Sequence, residues 1–251
     1  RIESQTREWS ARQSRNVQDW FRMAQLHLLM AFRSRNSFIK PYRVAPDEPY
    51  SFDEEQAEKA TGYLKRIMDT PLAQREGLTP TILALDGFIR FSQGNYREAE
   101  VLFTRSLASF SSGEQKGLPR YMVMLLASRA YIQNGKLVAA QRVLSSILGD
   151  ERMVPLAFPL AMEQKAEIIR LSFDGKDYKG LLSEASYRFQ KESDQNGVAR
   201  VHLHLAAFAL EQDRPQMVRR EISLASSLAT GLNDWFTLGM AGYLYQTLPR
   251  D

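Results

Sequence analysis

The chain has 251 residues, 44% of them hydrophobic and 25% charged, an ordinary composition for a globular protein that can bury a core. It contains no cysteine, which excludes a disulfide scaffold, a cysteine-ligated zinc or iron–sulfur site and thiol catalysis. The net charge of +4 is uneven, because residues 1–43 hold nine Lys/Arg against Glu3, Glu8 and Asp19, leaving −2 for everything after.

Residues 1–15 read as a basic lead or linker. Its plainest role is a solvated, Arg-rich segment, and the second is proximity to anionic lipid or nucleic acid. The chain opens at Arg1 rather than Met, without a basic, apolar, small-residue leader. A fragment or processed form is therefore expected, which leaves room for an anchor or partner domain upstream. Apolar runs are short: residues 122–127 and 203–210 are the richest, well below the roughly 18 residues of a membrane span.

From Val17 the pattern is helical, with Trp20, Phe21, Ala24, Leu28 and Ala31 recurring at i, i+3, i+4. Residues 34–51, with Pro41, Pro46 and Pro49 beside Phe38, Tyr42 and Tyr50, read as a loop insertion. Helical spacing then returns at 57–68, 82–91, 99–107, 122–132, 138–148, 160–171, 181–189, 198–210, 218–228 and 232–248, so about eleven helices are predicted. Pro119, Pro155, Pro159 and Pro215 stand where helices begin. Gly94, Gly135 and Gly175 stand in short turns between helices, where a left-handed residue closes a helix. A string of helical hairpins follows.

Aligning those turns places Tyr96, Leu137 and Tyr178 at successive spacings of 41 residues. A fixed period in this range marks a solenoid, in which a hairpin cannot bury its apolar face alone and stacks on its neighbours. Gly87, Gly94, Tyr96, Ala99 and Phe103, then Ser128, Tyr131, Gly135, Leu137, Ala140, Leu144 and Ile147, form two units that resemble the tetratricopeptide repeat family. A third unit fits more loosely through Ala166 or Ile169, Tyr178, Leu181 and Ala185, and Trp235, Leu238 and Gly239 match the opening of a further one. The period exceeds the family's 34, and Pro215 takes an aromatic's place. The resemblance implies an all-α, right-handed α-solenoid of stacked hairpins forming a single domain over 16–251, interrupted at 34–51.

Catalytic patterns are missing. His202 and His204 are two apart on a helix and face different ways, unlike an i, i+4 chelating pair, and His27 is isolated. Asp53, Glu54 and Glu55 follow Ser51 at a helix start, where acids complement the dipole. Asp47 and Glu48, or Glu98 and Glu100, suggest no acid–base pair. Ser37 and Lys40 match a β-lactamase-like tetrad by chance, without its partner motifs. No phosphate loop, dinucleotide turn or nucleophile elbow occurs. The expectation is a non-enzyme with no cofactor and no metal.

In the family that the chain resembles, the first helix of each hairpin lines a concave groove. Carried over, that implies Leu85, Phe88 and Phe91; Leu125, Arg129, Ile132 and Gln133; Glu163, Glu167, Arg170 and Phe173; and Arg200, His204 and Glu211. Arg129 and Arg170 fall one repeat apart, as a forked grip on an acidic partner or as ordinary inter-repeat salt-bridge residues. The leading expectation is a non-enzymatic scaffold or adaptor that binds a peptide or helix of a partner protein. The alternative is a regulatory or sensory segment of a larger membrane-anchored or DNA-binding protein. A nucleic-acid-binding repeat is disfavoured, since the net positive charge belongs to residues 1–43 and the remainder carries −2, whereas phosphate affinity needs an excess of cations along the groove itself. The expected compartment is the cytoplasm, with a membrane tether if an upstream anchor exists. The apolar circumference of 232–248, including Tyr243 and Tyr245, is expected to be covered either by a continuation of the native chain past Asp251 or by a second copy or a partner.

Overall fold

A computed structural model describes residues 17–33, 53–71, 73, 77–110, 118–150, 154–172, 177–232, 241 and 244. Among them are ten helices and no strand: α1 (Val17–Arg33), α2 (Glu54–Met68), α3 (Thr79–Ser92), α4 (Tyr96–Ala108), α5 (Arg120–Gln133), α6 (Leu137–Leu148), α7 (Ala157–Leu171), α8 (Tyr178–Lys191), α9 (Gln195–Glu211) and α10 (Pro215–Leu232). The fold is all-α, as expected. None of these helices is long and apolar enough to cross a membrane. The basic lead at 1–15 and the insertion at 34–51 lie outside the described residues. Of the terminal helix expected at 232–248, Ala241 and Leu244 are described, helical and buried against α9 and α10.

From α2 onward the helices start earlier than the apolar pattern indicates, and at α2 and α9 the first turn is held by a side-chain cap. Asp53 accepts a hydrogen bond from the Gln56 amide (3.1 Å), with Glu54 and Glu55 in the first turn of α2. Asp194 does the same for the Gly197 amide (2.9 Å) at the start of α9. Several of the helices end on a recurring device. At the close of α3, Gly94 is left-handed (φ 79°), its amide donates to Phe91 O and the Asn95 amide donates to Arg90 O. Ser193 (φ 59°) closes α8 with the same pair of bonds, to Gln190 O and Phe189 O, and Asp213 (φ 50°) closes α9 onto Leu210 O and Ala209 O.

The chain forms two compact units, residues 1–135 and 136–251. In the first, α1 packs on α2 and α3 on α4, while α5 packs on α4 and touches α3. Its interior has one cluster around Ala24, Leu64, Ile67 and Ile89 and another around Ala84, Phe103, Val123 and Ala127. In the second unit α7 packs on α8 and α9 on α10, with α6 against α7, α8 against α9, and α7 touching α9. Its clusters centre on Tyr178, Leu182 and Phe189 and on Ala206, Val218 and Ile222.

Two kinds of helix alternate along the chain. On α2, α4, α6, α8 and α10 a buried triplet recurs at i, i+4, i+7: Ala57/Thr61/Leu64, Ala99/Phe103/Ser106, Ala140/Leu144/Ile147, Tyr178/Leu182/Ala185 and Val218/Ile222/Ala225. By contrast α3, α5, α7 and α9 bury residues on more than one face, as with Val123, Leu125, Ala127, Ser128, Ala130 and Ile132 of α5. One equivalence drawn from the sequence is corrected. Tyr96 and Leu137 open their helices half-buried, three residues before the triplet, whereas Tyr178 is itself the first triplet residue and is fully buried. Its ring packs on Phe208 (centroids 4.5 Å apart) and its hydroxyl donates to His204 O (2.9 Å). The repeat therefore shortens by about one helical turn at α8.

Close approach is enforced at two glycines. A Cβ on Gly87 would stand 2.8 Å from the Phe103 ring, and one on Gly197 would stand 2.3 Å from the Phe189 ring. Small residues at these crossings let an aromatic side chain lie on backbone.

Candidate functional site

The carried-over positions of the first unit divide by burial. Leu85 is half-buried against the cluster around Ile67 and Ile89. Phe88 and Phe91 are half-buried against the one around Phe103, and Phe91 meets the Tyr96 ring edge-on at 5.2 Å. Leu125, only 6% exposed, and Ile132 belong to the core rather than to a surface that a partner reaches, because α5 buries more than one face. Arg129 and Gln133 are exposed. Sequence reasoning passed over Asp86, whose buried Oδ1 accepts no hydrogen bond within the described structure. Burial pushes its carboxyl above the usual range, opposed by Arg90 and Lys65 and reinforced by Glu98.

In the second unit the carried-over charges converge. Glu163 on α7 is 3% exposed. Its Oε1 lies 3.2 Å from Arg200 Nε and 3.1 Å from His204 Nε2, and its Oε2 accepts from Arg200 Nη2 at 3.3 Å. The Arg200 guanidinium also stands over the Phe189 ring, 5.3 Å from its centroid, so one side chain ties α7, α8 and α9 together. Arg170 pairs with Glu211. This places Arg170 in an ion pair between α7 and α9 inside its own unit. Burial pushes the Tyr178 phenol well above its ordinary range, with Arg170 opposing and Glu211, Glu167 and Glu163 reinforcing. Glu167 is half-buried, and Phe173 lies outside the described residues. The result is a largely self-neutralised polar face, with Arg170, Arg200 and His204 each about one quarter exposed.

One signal for this network was present in the sequence. Arg170 with Glu211 and Glu163 with His204 are both 41 residues apart, so complementary groups recur at the spacing of the hairpins. The remaining histidines are also engaged: His202 Nδ1 lies 2.7 Å from Glu221 Oε2, and buried His27 lies 2.7 Å from Gln56 Oε1 and stacks on Tyr63. Among the described residues no three His, Asp or Glu side chains converge as metal ligands. A further cleft, between α8, α9 and α10, has no sequence motif.

No family model matches the sequence, and no curated protein matches it. Among solved structures the chain is similar to BtubC (BKLC) from P. vanneervenii, with 18% identity and a TM-score of 0.54 over 76% of this chain and 81% of that one. At that identity the likeness concerns the fold.

Proposed function

We propose that the chain is a right-handed, tetratricopeptide-like α-solenoid acting as a non-enzymatic scaffold or adaptor, whose first-helix face holds a peptide or helix from a partner protein. The observation that carries this reading is the alternation of helix types. A stripe of buried triplets about 40 residues apart on every second helix, between helices buried on more than one face, is the pattern expected of stacked hairpins. Exposed Arg129 and Gln133 in the first unit, and the polar edge of Glu167, Arg170, Arg200 and His204 in the second, are the groups that such a face offers. The test is a peptide-display selection on the purified chain, followed by amide exchange of the selected complexes. Protection concentrated on α3, α5, α7 and α9 supports the reading. Failure to select any peptide, or protection confined to α4, α6, α8 and α10, refutes it.

A further inference from the structure

The turn that closes α9 shapes the cleft in the second unit. Left-handed Asp213 lets the Arg214 amide return to Ala209 O (3.0 Å), which sets the Arg214 side chain at the cleft's edge. Lys179, from the first turn of α8, lines the same space. Leu205, Phe208 and Ala209 of α9 and Met217 of α10 supply an apolar wall. Neither Lys179 nor Arg214 has an ion-pair partner among the described residues, whereas the wall's one carboxylate, Glu221, is engaged by His202 at 2.7 Å. Two unmatched cations thus stand beside a hydrophobic surface. With a volume of ≈ 190 Å³, the cleft lies below the roughly 300–1,000 Å³ of drug-sized sites.

We propose that this cleft binds a small aliphatic carboxylate, its carboxylate taken by Arg214 and Lys179 and its hydrocarbon laid on Leu205, Phe208 and Met217. An Arg fork suits a carboxylate, and Lys adds a point charge. Met217, flexible and at the edge, adapts to the chain of the ligand. The site uses residues distinct from the polar edge proposed for a partner, and its test does not depend on that reading.

The probe is 4-methylpentanoate, titrated into the full chain by isothermal calorimetry and ligand-observed NMR, with acetate and 4-methylpentanamide as comparisons. A Kd of about 0.1–1 mM is expected for an acid of this size, with both comparison molecules at least about tenfold weaker. Arg214→Ala and Lys179→Ala, both exposed and outside the core, each weaken binding by about fivefold or more. Met217→Glu abolishes it. Far-ultraviolet circular dichroism of each variant establishes that the fold is kept. The proposal is overturned by absence of binding at about 10 mM probe, by equal binding of the amide or of acetate, or by folded Arg214 and Lys179 variants that bind like the parent.

Discussion

Gly197→Ala sets two effects of opposite sign against each other. In an exposed helix interior, glycine to alanine gains about 1 kcal/mol through backbone entropy and helix propensity. Gly62, exposed on α2 with nothing within 4 Å of an added Cβ, offers that gain without a clash. At Gly197, third residue of α9, the new methyl would meet Phe189 Cδ1 at 2.3 Å and Cγ at 2.4 Å. These atoms lie at the root of a ring that is fully buried, so relief requires the whole side chain or helix α9 to move. Overpacking costs about 1–3 kcal/mol against a propensity gain of about 1 kcal/mol, and with contacts this short the cost falls in the upper part of its range, leaving a net loss of up to about 2 kcal/mol. Urea denaturation followed by circular dichroism should show Gly62→Ala more stable and Gly197→Ala less stable than the parent. Phe189→Leu should cost less in the Gly197→Ala background than alone, since it removes part of the clash. A Gly197→Ala chain as stabilised as Gly62→Ala would refute the reasoning.

Three other expectations use the same measurement. Arg200→Ala leaves Glu163, 3% exposed, without its guanidinium and should cost about 2–4 kcal/mol, whereas Arg170→Ala breaks a pair whose Glu211 side chain is 46% exposed and should cost less than about 1 kcal/mol; equal losses would contradict the assignment of Glu163 to a buried network. Asp86→Asn should stabilise the chain near pH 7, because a carboxyl pushed up on folding holds its proton where the unfolded chain has released it, so stability falls as pH rises above about 4. That advantage should vanish below the ordinary carboxylate range, and a gain that persists there would exclude ionisation as its cause. Ser193→Gly relieves a left-handed serine (φ 59°) and should gain about 1 kcal/mol; an unchanged midpoint would mean that the turn carries no strain.

Helices were readable because the apolar spacing that defines them is also what buries them. Their starts were readable where chemistry marked them, as with Asp53, Glu54 and Glu55 at α2, Pro119 at α5 and Pro215 at α10, and were not at α4 or α8, whose N-caps make no side-chain hydrogen bond. Gly94 and Gly135 announced their turns, whereas Ser193 and Asp213 close helices in the same left-handed conformation without a glycine. Tyr178 misled by resemblance of position: an aromatic after a turn was aligned with Tyr96 and Leu137, although its ring begins the buried triplet. At the candidate face, Glu163, Arg170, Arg200 and His204 were identifiable as polar groups on first helices. Their pairing depends on α7 touching α9, which no local pattern specifies. Leu125 illustrates the converse, since periodicity alone does not separate a helix with one buried face from a helix with several.

The alternation of helix types also bears on how such a chain can change over evolutionary time. On α4 and α6 three positions each are buried, so drift can rewrite most of those helices while the hairpins keep their shape. Substitutions in α5, α7 and α9 meet resistance at nearly every other residue. A lineage of this kind diverges at two rates, and an overall sequence identity averages a slow record with a fast one. Ancestry would survive longest in the order of small and large residues at crossings such as Gly87 over Phe103 and Gly197 over Phe189. There a change on one helix requires an answering change on the other.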